Sequence, residues 1–312
     1  NMVTAAGVAH SNRLPVLLLS GDTYNNRLPD PVLQQVEHFG EPSTTVNDSF
    51  RSVSRFWDRI THPAQILSSL PQAVATMMDP ADCGPAFIGL PQDVQEIAYD
   101  YPVEFFNETT WRIPRSRPDL QQVDEAVKIL KTAKKPLIIS GGGVRYSGAV
   151  EALVKFSEDR MIPVAETIAG KGAFVHDHPF YVGAIGIEGT DAAKELAENA
   201  DVIIAVGTRL QDFTTGSWTT FRYDAKFINI NTARFDAKKH FSNPIVGDAL
   251  ECLNELNSRM EDWVCDTNRI EEARKLYANW NEMIDKGQAL TNASIPSYAQ
   301  VIAVVNKHAK PQ

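Results

Sequence analysis

The chain has 312 residues, 43% of them hydrophobic and 22% charged, which is too long for one small module and too ordinary for a disordered, collagenous or coiled-coil protein. A formal net charge of −9 works against phosphate backbones and anionic lipid heads, so nucleic acid and membrane surfaces are poor first expectations. Cys83, Cys252 and Cys265 form no close pair; this argues against a disulfide framework or a cysteine zinc site and for a reducing, cytoplasmic compartment.

The opening, Asn1 to Ala9, reads as helix interior with no start signal before it, so a chain that continues upstream is expected. Leu14 to Gly21 has the composition of a strand buried on both faces. His62-Pro63 opens a helix bearing Ile66, Leu70, Val74 and Met77 on one face, which Pro71 is expected to kink or split. Gly84 to Pro91 is a second buried strand, and the Tyr101-Pro102, Ile113-Pro114 and Arg117-Pro118 pairs mark a linker. Beyond it the pattern alternates. Asp119 caps a helix with Leu120, Val123, Val127 and Leu130 on one face, and Pro136 to Ser140 is a strand running into three glycines. A helix follows Ser147, a strand spans Ile162 to Ala165, and a helix follows Thr190; strands at Val202 to Val206, Phe227 to Ile230 and Ile245-Val246 lead to a helix from Leu250 to Met260. Such alternation predicts an α/β fold, a Rossmann-like parallel sheet with helices on both faces. After Asp266, a helical face carries Ile270, Ala273, Leu276, Tyr277, Trp280 and Ile284, and a short helix begins near Ser297. No apolar run approaches a bilayer span and no secretory leader is legible, so a soluble protein is expected.

Gly141-Gly142-Gly143, between a predicted strand and a predicted helix, has two readings: a backbone approach for pyrophosphate, with Glu166 on a ribose, or a tight turn beside a surface carboxylate. Gly170-Lys171-Gly172 and Gly207-Thr208-Arg209 follow other strands at the edge where open α/β sheets place ligands. The seven histidines show no i, i+4 pair, and His176 and His178 read as a polar loop. No serine lies in a G-x-S-x-G elbow. Trp111, Phe213, Trp218 and Phe221 line either a pocket or the core.

Several segments, in order and at matching spacing, resemble the thiamine-diphosphate enzymes related to acetolactate synthase. They are Asn1-Met2-Val3-Thr4 followed by Leu14-Pro15-Val16-Leu17-Leu18-Leu19-Ser20-Gly21, then Pro118-Asp119, Lys135 to Val144, Gly170-Lys171-Gly172-Ala173 and Ile245-Val246-Gly247-Asp248-Ala249. Within that superfamily, Arg27 to Glu37, Ser54 to Ile60 and Asp79 to Phe87 most resemble the trihydroxycyclohexane-dione hydrolases of inositol catabolism.

The resemblance implies three α/β domains. Residues 1–103 match the C-terminal part of the pyrimidine-binding domain, 104–118 a linker, 119–260 the central domain, and 261–312 a connecting helix and the start of the pyrophosphate-binding domain. The activating glutamate and the Gly-Asp-Gly metal motif of that family are not in these residues. Gly21-Asp22 with Asn47 lacks the second glycine, having Thr23, and Gly247-Asp248 runs through Ala249 into a helix, so neither is expected to hold magnesium. No catalytic residue or metal ligand is therefore assigned. Asn1 and Gln34 match neighbours of the cofactor, while Gly141, Gly142, Gly143, Lys171, Gly207 and Arg209 match the cleft that holds FAD or ADP in some relatives; the hydrolases are not expected to need flavin.

The implied full-length protein uses thiamine diphosphate and Mg2+ to cleave a ring carbon–carbon bond of a cyclic polyol dione as a homodimer or homotetramer. This chain alone is not expected to bind the cofactor tightly. An acetolactate synthase-like carboligase with FAD in the cleft, a non-catalytic nucleotide-binding module and a structural scaffold stand as alternatives.

Overall fold

The computed structural model describes residues 1–26, 36, 38–289, 291 and 293–309. Contacts divide the chain into two units, Asn1–Pro114 and Arg115–Gln312.

In the first unit, helix α1 (Met2–Asn12) ends where Arg13 turns left-handed at φ 55°, and strand β1 (Val16–Asp22) follows. A 3-10 helix, Val46–Val53, is closed by a capping box between Thr45 and Asp48. Then come β2 (Phe56–Arg59), α2 (Ile66–Met77), β3 (Pro85–Pro91) and the single turn α3 (Gln92–Gln95). The three strands are parallel in the order β1-β3-β2. Successive side chains leave a strand on opposite faces. Leu18 and Phe87 therefore meet Ala6 of α1 and Phe50 on one side, while Ala86 and Ile88 meet Ala73 of α2 on the other. Pro71 does not split α2, which runs unbroken through it. The four-residue β2 carries no period long enough to read in the sequence; pairing with β3 makes it a strand.

The second unit opens with α4 (Leu120–Leu130), capped by the Asp119 carboxylate accepting from the Gln121 amide at 2.9 Å. There follow β4 (Pro136–Ser140), the five-residue α5 (Gly142–Tyr146), α6 (Val150–Arg160), β5 (Val164–Glu166), β6 (Tyr181–Ala184) and α7 (Asp191–Asn199). Next are β7 (Val202–Val206), α8 (Asp212–Thr215), β8 (Lys226–Asn231), α9 (Arg234–Ala237), β9 (Asn243–Val246) and α10 (Ala249–Ser258). The long α11 (Asn268–Gln288) and α12 (Tyr298–His308) complete it. All six strands are parallel in the order β6-β5-β4-β7-β8-β9. The expected parallel α/β architecture is present; β6, interrupted by Gly183 at φ 92°, is the strand its composition conceals.

The sheet separates two apolar layers. Ile138, Ile204, Ile228 and Ile245 pack with Val123, Leu153, Phe156 and Leu253 of α4, α6 and α10. Leu137, Ile139 and Ile203 pack with Leu196 of α7 and Ala273 of α11. Alternation along β4 thus serves both layers, which is why its sequence is a continuous apolar run. Among the described residues, no helix is long and apolar enough to cross a membrane.

Candidate functional site

The strand order of the second unit reverses between β4 and β7. The chain moves outward from β4 to β5 and β6, then crosses back to β7 and continues the other way. Sheets of this kind open a crevice for ligands at the carboxyl ends of the two strands that flank such a reversal. The turn after β4 holds Gly141, Gly142 and Gly143, and the turn after β7 holds Gly207, so the reversal brings these four glycines together.

Their lack of side chains serves close packing of backbone on backbone. A Cβ on Gly143 would lie 2.7 Å from the Gly207 Cα, one on Gly141 would run into the Gly207 carbonyl and Thr208, and one on Gly142 would lie 3.0 Å from the Ala169 carbonyl. Gly207 itself sits at φ 60°, a conformation L side chains rarely adopt. The Gly141, Gly143 and Gly207 amides are engaged as well. Gly141 donates to the Val206 carbonyl at 2.8 Å, Gly143 to the Gly207 carbonyl at 2.9 Å, and Gly207 to the Ile230 carbonyl at 2.9 Å.

Glu166 ends β5, where a ribose-binding acid belongs, but it is 1% exposed. Its carboxylate accepts from the Gly172 amide at 3.2 Å and the Phe174 amide at 2.8 Å. Burial, and next the Glu166 charge, push the Tyr181 phenol above its ordinary range. The carboxylate therefore serves its own turn, which corrects its reading as a surface group. Within the described residues the Gly141 and Gly143 amides and the Glu166 carboxylate are thus taken up by neighbouring backbone. Ser140 Oγ, beside Glu166 in the strand register, is buried without a hydrogen-bond partner.

Lys171 is exposed and its carbonyl accepts from the Arg145 guanidinium at 3.1 Å. Arg209 is half-buried, and its carbonyl accepts from Lys239 Nζ at 2.9 Å. Asn1 is exposed at the head of α1 in the other unit, and Gln34 lies outside the described residues. His178 closes its own loop, accepting from the Phe180 amide and meeting Glu158 at 3.3 Å. Trp218 and Phe221 pack against the core, whereas Trp111 and Phe213 are exposed.

The two Gly-Asp pairs test the fit of a magnesium diphosphate. Asp22, at the end of β1, receives Arg59 Nε at 2.7 Å and the Thr23 amide at 2.9 Å. Asn47 does meet Gly21, donating to its carbonyl at 2.7 Å. Arg59 also donates to Thr45 Oγ1 and to Asp48 Oδ2, at 2.8 and 2.7 Å. Burial works against the Asp48 carboxylate, but Arg51, the Thr45 amide and Arg59 outweigh it and hold Asp48 at about 2, below the ordinary 3.8. Asp248 caps α10 through the Leu250 amide at 3.0 Å and pairs with Arg115 at 3.1 Å. Arginine thus stands where a divalent cation would, and the described residues do not fit the metal-diphosphate end of thiamine diphosphate. The Asp22–Arg59 pair had no signal in the sequence, because its members are 37 residues apart and belong to different strands.

A central sheet of this order and its closed glycine crevice define a Rossmann-like domain, and residues 123–256 match the family described as thiamine pyrophosphate enzyme, central domain. Residues 123–256 are accordingly a central domain of the thiamine pyrophosphate enzyme family. Its relatives include the 3D-(3,5/4)-trihydroxycyclohexane-1,2-dione hydrolase of Geobacillus thermodenitrificans, 45% identical over 287 residues, 92% of this chain and 44% of that protein. Proteins of the same name from Clostridium perfringens and Clostridium tetani are 43% and 44% identical, over 94% and 92% of this chain and 45% of each relative. The chain spans less than half the length of these curated relatives.

Proposed function

We propose that the full-length protein is a thiamine-diphosphate-dependent hydrolase that opens the ring of a trihydroxycyclohexane-1,2-dione. The observation that carries this reading is 43–45% identity, across nearly all of this chain, to hydrolases so named. In this reading residues 1–103 complete a pyrimidine-binding domain, 104–118 link it to a central domain at 119–260, and 261–312 lead into a pyrophosphate-binding domain. The protein works in the cytoplasm as a homodimer or homotetramer, with the dione as substrate and Mg2+ beside the cofactor.

The contribution of these 312 residues is scaffold. Both candidate metal carboxylates are neutralised by arginines, Asp22 by Arg59 and Asp248 by Arg115, and the sequence contains no Gly-Asp-Gly. Hence the isolated chain neither binds thiamine diphosphate tightly nor turns over the dione. Calorimetric titration of the chain with thiamine diphosphate and Mg2+, beside a dione-consumption assay, tests this. No saturable heat and no turnover are expected from the chain, and both from the full-length protein. Magnesium-dependent uptake with turnover by the 312 residues overturns the scaffold reading, and a full-length protein that leaves the dione untouched overturns the substrate.

A further inference from the structure

Among the described residues, seven other than glycine have positive φ: Arg13 and Met161, which end helices α1 and α6, and Leu210, Ser217, Trp218, His240 and Phe241. A left-handed residue at a helix end is ordinary. The other five lie in two loops of the second unit, one between β7 and β8 and one between β8 and β9. Each loop places two adjacent side-chain-bearing residues where Cβ crowds the following carbonyl oxygen. Burial does not compensate, since Ser217 and His240 are exposed and Phe241 fully so. The loops instead hold each other. The Trp218 and His240 rings stand with centroids 3.3 Å apart, Lys239 Nζ donates to the Arg209 carbonyl at 2.9 Å, and Asn231 Nδ2 donates to the Thr208 carbonyl at 3.0 Å.

We propose that these two loops form a latch over the carboxyl ends of β7 and β8, closed when Trp218 meets His240 and open when both segments relax to unstrained backbone. Strained conformations persist only where their surroundings over-determine them, and they cluster in segments that have two arrangements. The two sides are anchored differently. Trp218 is seated against Phe221 and Phe227, with ring centroids 5.8 and 5.4 Å away, and packs on the core. His240 and Phe241 lie at the surface, so their loop is the arm and Trp218 its catch. Lys239 is paired with Asp236 of its own arm at 2.7 Å and gives up only the Arg209 carbonyl when the arm moves. Opening therefore clears the backbone beside the Gly207 turn, and the latch governs access to the β7 side of the crevice. It rests on backbone geometry and stands apart from the chemistry proposed above.

Hydrogen exchange of the 312-residue chain tests the coupling of one loop to the other. The readout is the Thr219 and Thr220 amides, which donate to the Gly216 and Thr215 carbonyls within the Trp218 loop. His240→Ala takes the opposing ring from Trp218 and should speed their exchange about 10-fold, the worth of a good aromatic contact. Phe241→Gly relieves left-handed strain at a fully exposed side chain. It should slow the same amides about 3-fold, the strain relieved being partly offset by glycine's freedom in the open arm. A change confined to the substituted loop, in either variant, overturns the latch. The Ile203 and Ile204 amides of β7 are the reference, and equal acceleration there in His240→Ala means general loosening and overturns it too. None of these measurements reads catalysis, so failure here leaves the dione assay unaffected.

Discussion

Arg59 Nε lies 2.7 Å from Asp22 Oδ2, joining the end of β2 to the end of β1 across the intervening β3. The bridge crosses Gly89, where a Cβ would stand 3.1 Å from the Asp22 carboxylate. Asp22 is 2% exposed. Removing one member of a buried pair leaves the other charge without compensation, so Arg59→Met should cost about 3 kcal/mol. Urea denaturation should show Asp22→Asn with Arg59→Met together losing less than the sum of the single changes. Additive losses would mean that the two groups do not interact.

Asp48 supplies a pH dependence of definite sign. Its folded-state pKa of about 2 lies below the ordinary 3.8, so its contribution is complete above pH 4 and is lost as pH falls towards 2. The contribution is about 1–2 kcal/mol, discounted for a partly solvated carboxylate. Stability measured between pH 5 and 2 should fall less steeply in Asp48→Asn than in the parent chain. Parallel curves would remove Asp48 from the account.

Gly207→Ala should be among the most damaging small substitutions in the chain. It combines positive φ with a Cβ 2.7 Å from the Gly143 Cα, and strain plus displaced backbone should cost about 3 kcal/mol or more. Gly287→Ala is the contrast, since nothing lies near its Cβ within α11, and relief of glycine's entropy should stabilise by up to about 0.5 kcal/mol. Thermal melts of the two variants should move in opposite directions.

Glu166→Ala removes the acceptor for the Gly172 and Phe174 amides. Charged hydrogen bonds of this kind are worth about 2–3 kcal/mol together with the donors left unpaired. Hydrogen exchange of these two amides should accelerate along with the loss in stability. Protection of both amides at the parent level would contradict the assigned role.

Asp248 holds the head of α10 and, through Arg115, the segment before α4. Asp248→Ala should cost about 1 kcal/mol from the lost cap and speed tryptic cleavage after Arg115. Unchanged cleavage would detach the segment from this anchor.

The Ile245-Val246-Gly247-Asp248-Ala249 stretch shows how a family-like motif and its role separate. As sequence it marks membership and tempts a metal reading. In the structure Gly247 leaves room for Cys252 Sγ, Ser116 and Pro118, and Asp248 is a helix cap. Burial pushes the neighbouring Cys252 thiol up to about 12, consistent with a packed, unreactive sulfur.

The sequence by itself determined the parallel α/β architecture, the helix cap at Asp119, the helix after Thr190 and the family resemblance, because periodicity, capping chemistry and ordered motifs are local properties. It also marked Gly141, Gly143 and Gly207 as special positions. Only the tertiary structure decided what those positions do. Whether a glycine admits a ligand or another backbone, whether Glu166 meets a ribose or its own turn, and whether Asp22 faces a metal or Arg59 depends on strands distant in sequence becoming neighbours. Contacts of that kind are set by sheet order, which no local pattern encodes.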